Sequence, residues 1–97
     1  MTAPAVRLKE GLLCELDLNL LLTFAVLLRE CNVSRAARCL SVGQPAVSGA
    51  LARLRRHFND PLFIRGYRTM RPTPRAMQIA EDILPALALV QKTLVGQ

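Results

Sequence analysis

The sequence is poor in aromatic residues, with three phenylalanines, one tyrosine and no tryptophan among 97 residues. Because 52% of the residues are hydrophobic, a core has to be built mainly from aliphatic side chains, which favours one small helical domain. The chain has one histidine, His57, whose arginine neighbours indicate a surface position and not a metal ligand. It has no glycine-rich phosphate loop, and its adjacent acids Glu81 and Asp82 are expected on a solvated helix face. These absences argue against an enzyme.

Cysteine is also scarce, and Cys14, Cys31 and Cys39 do not have the spacing of metal ligands. Cys31 and Cys39 occupy apolar positions and are predicted to be buried and reduced, with redox sensing as the alternative. No apolar run approaches the roughly 20 residues of a membrane span, and the run after Arg7 and Lys9 is too short and interrupted for a signal peptide. The sequence therefore predicts a cytoplasmic protein with no metal, cofactor or membrane partner.

Acidic residues are nearly missing from the middle of the chain. Residues 29–75 contain ten arginines and two acids, a net charge of +8, whereas the segments before and after them each carry −1. Charge concentrated in this way indicates a polyanionic partner such as nucleic acid, although a solvated basic face is the simpler alternative.

Residues 32–58 predict two helices joined by a tight turn. The first helix is expected from Ser34, as N-cap, to about Leu40. In the turn that follows, Gly43 is expected to supply backbone freedom and Val42 to fill the core. The second helix has apolar residues at spacings of four, three and four, which predict its buried face: Val47, Leu51, Leu54 and Phe58.

The other face of the second helix combines small residues with arginines. A helix of this kind can enter the DNA major groove, which is only about 12 Å wide and bordered by phosphates. The amide of Gln44 can pair with adenine, Ser48 can contact a base edge or a phosphate, and Gly49 permits close approach. Pro45 and Ala46 are predicted to contact thymine methyl groups. Four further residues are predicted to contact the DNA backbone: Ser34, Arg35, Arg53 and Arg56.

On the N-terminal side, residues 1–16 are interpreted as a mostly disordered leader whose last turn packs through Leu12 and Leu13. Asp17 is the expected N-cap of a first helix that ends near Glu30 and closes over the other two helices.

After Phe58, a hairpin is predicted around residues 66–68, with strands at 62–65 and 69–72. Leu62 and Ile64, with Met70, are expected to pack on the helices. The arginines are left for the DNA backbone or the minor groove, unless Arg65 pairs with Asp60: Arg65, Arg68 and Arg71.

Thr73 is the expected N-cap of the last helix, and a DNA contact is its second possible role. The helix is expected to bend or break near Pro85. Its heptad-like spacing predicts a seam that pairs with the same helix of a second chain, while packing on its own domain is the alternative for the first turn. The seam residues are Ala76, Ala80, Ile83, Leu87, Val90 and Leu94.

Three blocks of this sequence resemble the N-terminal domain of LysR-type transcriptional regulators, closest to the nodulation-regulator-like branch. They are Arg-Ala-Ala-Arg-Cys-Leu-Ser-Val-Gly-Gln-Pro-Ala-Val-Ser at 35–48, Leu-Ala-Arg-Leu-Arg-Arg-His-Phe-Asn-Asp-Pro-Leu-Phe-Ile-Arg at 51–65, and Pro-Thr-Pro-Arg-Ala at 72–76. The chain departs from the family at Gly43, where serine is usual, and at Gly49, where a longer polar residue is frequent.

The resemblance implies a mainly α fold: a winged helix-turn-helix at 17–73, with a three-helix core and a β-hairpin wing, followed by a dimerisation helix at 74–97. It implies sequence-specific binding of double-stranded DNA by a homodimer on an interrupted inverted repeat, in a bacterial nucleoid-associated regulator. It also implies a small-molecule effector bound by a further C-terminal domain, and it is compatible with a tetramer. An architectural DNA-binding protein without sequence preference and a protein-interaction module are the other interpretations.

Overall fold

The structure is a computed structural model that describes residues 6–96. Within that range the order of elements is α1 (Glu10–Leu13), α2 (Leu18–Glu30), α3 (Val33–Leu40), α4 (Gln44–Phe58), β1 (Phe63–Arg65), β2 (Met70–Pro72) and α5 (Pro74–Val95). Helices α2, α3 and α4 pack against one another, and α5 closes on α2. This is the predicted mainly α winged helix-turn-helix with a long C-terminal helix.

In the N-terminal segment that was interpreted as a leader, the described residues pack differently from the prediction. Residues 1–5 lie outside the described residues, so the prediction of disorder has no outcome there. Leu12 and Leu13, on the one-turn helix α1, are more than half exposed, and the expectation that they pack is wrong. Leu16, just before α2, contacts the core instead.

Helix α2 begins where the sequence predicts, because Asp17 Oδ1 accepts a hydrogen bond from the backbone N–H of Leu20 at 2.9 Å. Its Phe24 and Leu27 have no exposed surface and form the centre of the core. The helix ends in Cys31, whose φ of 52° is left-handed.

The predicted burial of the cysteines is wrong in part. Cys31 is half-buried and Cys39 is exposed, and both are free thiols. The short helix α3 buries Ala36 and Ala37, and Cys39 lies about 100° around the helix from the direction in which they and Leu40 point.

The turn of the helix-turn-helix is built differently from the prediction. Asn32, and not Ser34, caps α3, since its Oδ1 accepts the N–H of Arg35 at 2.8 Å. The left-handed residue is Ser41, with φ 56°, whereas Gly43 has φ −77° and precedes α4 in extended conformation without a side-chain cap. Because the chain turns at Ser41, Val42 points outward and is 45% exposed, so it does not fill the core.

Helix α4 is sealed onto the core along the predicted face. Val47, Leu51 and Leu54 are at most 3% exposed, and Phe58 is partly buried at the helix end. The prediction of this buried face is confirmed.

The wing is an antiparallel hairpin with Ile64 paired to Arg71. Leu62 is buried and Met70 packs on the core, as expected, whereas Phe63 is buried in place of Ile64, which is 53% exposed. The expectation that Ile64 packs on the helices is wrong. Leu62 has φ 62°, which breaks the simple alternation of sides that the prediction assumed. The left-handed residue at the tip is Arg68 and not Gly66.

Helix α5 has two unlike halves. Ala76, Ile79 and Ala80 are at most 7% exposed because they pack on the core of their own domain. The assignment of Ala76 and Ala80 to a dimer seam is therefore corrected, since their surface is already covered. Towards the far end Val90 and Leu94 are 42% and 78% exposed. Pro85 lies inside the helix and does not interrupt it.

Across residues 6–96, none of the helices combines the length and the hydropathy needed to traverse a bilayer. The same residues contain no cluster of three His, Cys, Asp or Glu side chains suited to a metal ion.

Candidate nucleic-acid interface

The outer face of α4 is fully available to a partner. The seven residues that the sequence assigns to DNA on this helix are all exposed, because the opposite side of the helix is sealed onto the core. They are Gln44, Pro45, Ala46, Ser48, Gly49, Arg53 and Arg56. An additional Cβ at Gly49 would meet no heavy atom within 4 Å, which shows how open the surface is there.

A concave surface lies between the helices and the wing, and we call it the wing-side cleft. Its volume is about 350 Å³. Arg65 and Arg68 contribute positive charge from the wing, and none of the lining residues is acidic. Such a concavity suits a phosphate-bearing strand, because two guanidinium groups border it. The lining residues are Asn32, Val33, Ser34, Gln44, Ser48, Arg65, Gly66, Arg68, Thr69 and Met70.

Two residues that line the wing-side cleft, Gln44 and Ser34, are hydrogen-bonded to each other. Gln44 Nε2 donates a hydrogen bond to Ser34 Oγ at 2.6 Å. Gln44 opens α4 and Ser34 lies in the first turn of α3, so this bond links the starts of the two helices.

A second concavity lies on the other side of α4, and we call it the α2-side groove. Its volume is about 610 Å³. It contains Pro45, Ala46, Gly49 and Arg53 from the predicted DNA face, next to the exposed Leu22 and Val42. The predicted base-contacting residues thus lie on both flanks of one helix, polar on the wing side and largely apolar on the α2 side.

The wing arginines are free to meet a nucleic acid. Arg65, Arg68 and Arg71 are exposed, and the guanidinium of Arg68 lies 5.2 Å from the ring centre of the exposed Tyr67. The alternative pairing of Arg65 with Asp60 does not occur. Asp60 Oδ2 instead accepts hydrogen bonds from Leu62 N and Thr73 Oγ1, each at 2.8 Å.

Arg35 lies outside both concavities, beside Glu30. Its Nε is 3.9 Å from the Glu30 carboxylate, and its Nη2 donates to the Glu30 carbonyl at 3.4 Å. Arg29 Nε donates to the same carboxylate at 2.8 Å, and this hydrogen bond raises the pKa of Arg29. The ion pair between Glu30 and Arg35 is therefore weak, and a phosphate can replace Glu30 as the partner of Arg35.

Thr73 does not belong to the interface. It is 6% exposed, and its hydroxyl donates to Asp60 and accepts the N–H of Ala76 at 3.1 Å. The predicted role as N-cap of α5 is confirmed. The second role as a DNA contact is wrong, because the hydroxyl is enclosed and its hydrogen is donated to Asp60.

Three residues of the region were missed by the sequence analysis. Asn32 and Thr69 line the wing-side cleft. Arg55 holds the wing in place by donating to the carbonyls of Pro61 at 2.7 Å and Phe63 at 3.0 Å. Asn32 lies two residues before Ser34 and is an equally good N-cap, so composition does not distinguish the two. The contacts of Arg55 depend on the path of the hairpin, which no sequence pattern specifies.

His57 supports the other end of α4. Its Nδ1 lies 3.4 Å from Glu15 Oε2, and its ring packs edge-on against Phe58 with centroids 4.8 Å apart.

A helix-turn-helix with an exposed, arginine-edged second helix, flanked by an arginine-bearing hairpin, defines a winged helix-turn-helix DNA-binding domain. The model of bacterial regulatory helix-turn-helix proteins of the lysR family matches residues 18–77. The chain therefore belongs to the LysR family. Residues 18–77 form the regulatory helix-turn-helix domain of that family.

Individual relatives agree with this membership. The chain is 50% identical over 80 residues to the HTH-type transcriptional regulator LeuO of Escherichia coli (strain K12), covering 82% of this chain and 26% of LeuO. It is 44% identical over 81 residues to Nodulation protein D 1 of Rhizobium leguminosarum bv. phaseoli, covering 84% and 26%. The solved structure of the probable transcriptional regulator PA0477 from Pseudomonas aeruginosa superposes with a TM-score of 0.81 at 44% identity, covering 87% and 28%. The chain spans about a quarter of the length of these relatives.

Proposed function

We propose that the chain forms a homodimer that places two copies of α4 in successive major grooves on one side of the DNA. A two-fold protein matches a two-fold target, so the binding site is an interrupted inverted repeat with half-sites about one helical turn apart. The observation that carries this proposal is the division of α4 into a sealed apolar face and an exposed face of small residues, Gln44 and arginines.

The contacts divide into those that read sequence and those that fix position. Gln44 reads a base edge, Ser48 contacts a base edge or a phosphate, and Pro45 and Ala46 touch thymine methyl groups. The arginines among the predicted contacts bind phosphates, and those of the wing also contact the minor groove: Arg35, Arg53, Arg56, Arg65, Arg68 and Arg71.

Dimerisation is assigned to the far part of α5. Ile83 packs in part on the core of its own domain, Leu87 is partly buried, and Val90 and Leu94 are exposed on the same side of the helix. Because Ala76 and Ala80 are no longer assigned to the seam, the proposed seam consists of these four residues. Pairing with the same helix of a second chain would remove their apolar surface from water.

The wider role is proposed from the relatives. LeuO and Nodulation protein D 1 are about four times as long as the matched region, so these relatives contain further residues beyond the helix-turn-helix domain. We propose that the whole protein binds a small-molecule effector through a C-terminal domain and that it can form a tetramer. We further propose that the protein acts in the cytoplasm, associated with the nucleoid, because its proposed target is bacterial DNA.

The test is a selection from random duplexes, followed by affinity measurements at two salt concentrations. Gln44→Ala is expected to reduce discrimination at one base pair by about 1–3 kcal/mol. Arg68→Ala is expected to weaken binding to all duplexes about equally and to reduce the salt slope by about one unit. Gln78→Ala, which removes an exposed amide from α5, is the control and should leave both quantities unchanged.

Equal loss of specific and random duplex binding in the Gln44 and Arg68 variants would contradict the division of roles. A wild-type chain that selects no sequence would instead indicate the architectural DNA-binding protein.

A further inference from the structure

The hydroxyl of Ser34 has a use that neither helix capping nor phosphate binding explains. Asn32 caps α3, so Ser34 Oγ is not needed at the helix start. Its partner is the side-chain nitrogen of Gln44, 2.6 Å away and ten residues along the chain. A long, exposed side chain is thus held at the point where α4 would meet the DNA.

We propose that Ser34 is a positioning residue that presents the Gln44 amide to adenine. The inference rests on the proposed function, because it assigns the orientation of the same base-reading side chain. This positioning role takes the place of the contact between Ser34 and the DNA backbone that the sequence predicts.

The chemistry of the amide explains why a hydroxyl is suitable. Adenine offers its N6 hydrogen as donor and N7 as acceptor in the major groove, and a glutamine matches both with Oε1 and one Nε2 hydrogen. Nε2 carries a second hydrogen, which points away from Oε1. When Ser34 Oγ accepts that hydrogen, the edge that pairs with adenine remains free and the amide is held with its oxygen turned away from Ser34.

The position of the bond also favours presentation over packing. Both residues line the wing-side cleft, with Arg65 and Arg68 bordering it on the wing. Gln44 is exposed and Ser34 only half-buried, so the bond contributes little to the core. Its main effect is to reduce the rotamers that Gln44 samples before DNA arrives, which lowers the ordering cost of binding.

The first measurement uses the free 97-residue chain. Nuclear Overhauser effects between the Gln44 Nε2 hydrogens and the Ser34 β hydrogens are expected in the wild type. Ser34→Ala should raise the mobility of the Gln44 amide, and Ser34→Thr should restore the wild-type value. Absence of the contact in the wild type would overturn the inference whether or not the chain selects a DNA sequence.

The second measurement uses duplexes that differ at the base pair at which Gln44→Ala loses discrimination. Ser34→Ala is expected to reduce discrimination at that same pair about two- to tenfold, as for one net hydrogen bond, with an unchanged salt slope. Ser34→Thr should recover it. The double variant of Ser34→Ala and Gln44→Ala should discriminate no worse than Gln44→Ala alone, because the two residues act through one contact.

Three outcomes would overturn the inference while leaving the proposed function intact. One is an equal loss for all duplexes, which identifies Ser34 as a phosphate contact. The second is additive behaviour of Ser34→Ala and Gln44→Ala. The third is discrimination lost in Gln44→Ala and retained in Ser34→Ala.

Discussion

Helices α4 and α5 both carry an apolar stripe, but only one of them covers it within the chain. The apolar stripe of α4 is buried in the core through Leu51 and Leu54, and the exposed residues of this helix are small, polar or basic. The stripe of α5 is covered only near its start, through Ala76 and Ala80, and it continues outward to Leu94. One helix therefore exposes a face suited to a hydrated polyanion, and the other exposes a face suited to a second apolar surface.

The difference lies in the length of the helix relative to the core. Helix α4 has 15 residues and lies across α2 and α3 along its apolar side, whereas α5 has 22 residues and extends beyond the helix on which it packs. The same helical period thus specifies a core contact in one place and a docking surface in the other. Three substitutions test this comparison.

The largest effect is expected at Leu54, on the sealed face of α4. Leu54→Ala should lower the free energy of unfolding by about 2–5 kcal/mol, because it removes a fully buried side chain and leaves a cavity. Urea unfolding of the dilute, monomeric chain measures this. Leu94→Ala, at the exposed end of α5, is the matched control and should change the value by less than about 0.5 kcal/mol. Similar losses in both variants would remove the distinction between the two stripes.

The second effect concerns association through α5. Val90→Asp should raise the dimer dissociation constant at least about tenfold, or ~1.4 kcal/mol, since two unpaired carboxylates would be buried at the seam. Sedimentation equilibrium measures the dissociation constant, and circular dichroism verifies that the helices persist. Ala88→Asp adds the same charge to the opposite side of the helix and should leave association nearly unchanged. Equal weakening by both changes would rule out a defined seam.

The smallest effect is expected at Gly49, on the outer face of α4. Gly49→Ala should raise the free energy of unfolding by about 0.5–1 kcal/mol, because alanine is the better helix former and its Cβ meets open space. Thermal unfolding measures the gain. If the DNA backbone approaches α4 closely here, the same variant should bind its selected duplex more weakly. A stabilised variant with unchanged DNA affinity would show that the small size of Gly49 is not needed for binding.

The sequence predicts the elements well and their junctions less well. Asp17 and Thr73 are identified correctly as caps because each is followed by a strongly periodic helix. Asn32 and Ser34 are both good caps two residues apart, and composition cannot choose between them. The left-handed conformation of Ser41 likewise has no local signature, because the packing of α3 on α4 decides where the turn occurs.

The predicted site residues of α4 are exposed, as the sequence indicates, but the contacts of the neighbouring side chains were not predicted. Helical spacing is enough to predict that Gln44, Ser48 and Arg53 share the exposed side of α4. It does not reveal that Ser34 reaches Gln44 from another helix, or that the hydroxyl of Thr73 is enclosed beside Asp60. Both facts depend on contacts between segments distant in sequence, for which one chain without tertiary information carries no pattern.

The junction of the wing with α5 leaves the chain no slack. Thr73 is the single residue between β2 and α5, and its hydroxyl is bonded at once to the helix start and to the Asp60 carboxylate. A rotation of the distal end of α5 is therefore not absorbed by a flexible hinge between the helix and the hairpin. It turns the hairpin with the helix, and through the two carbonyls held by Arg55 it reaches the end of α4.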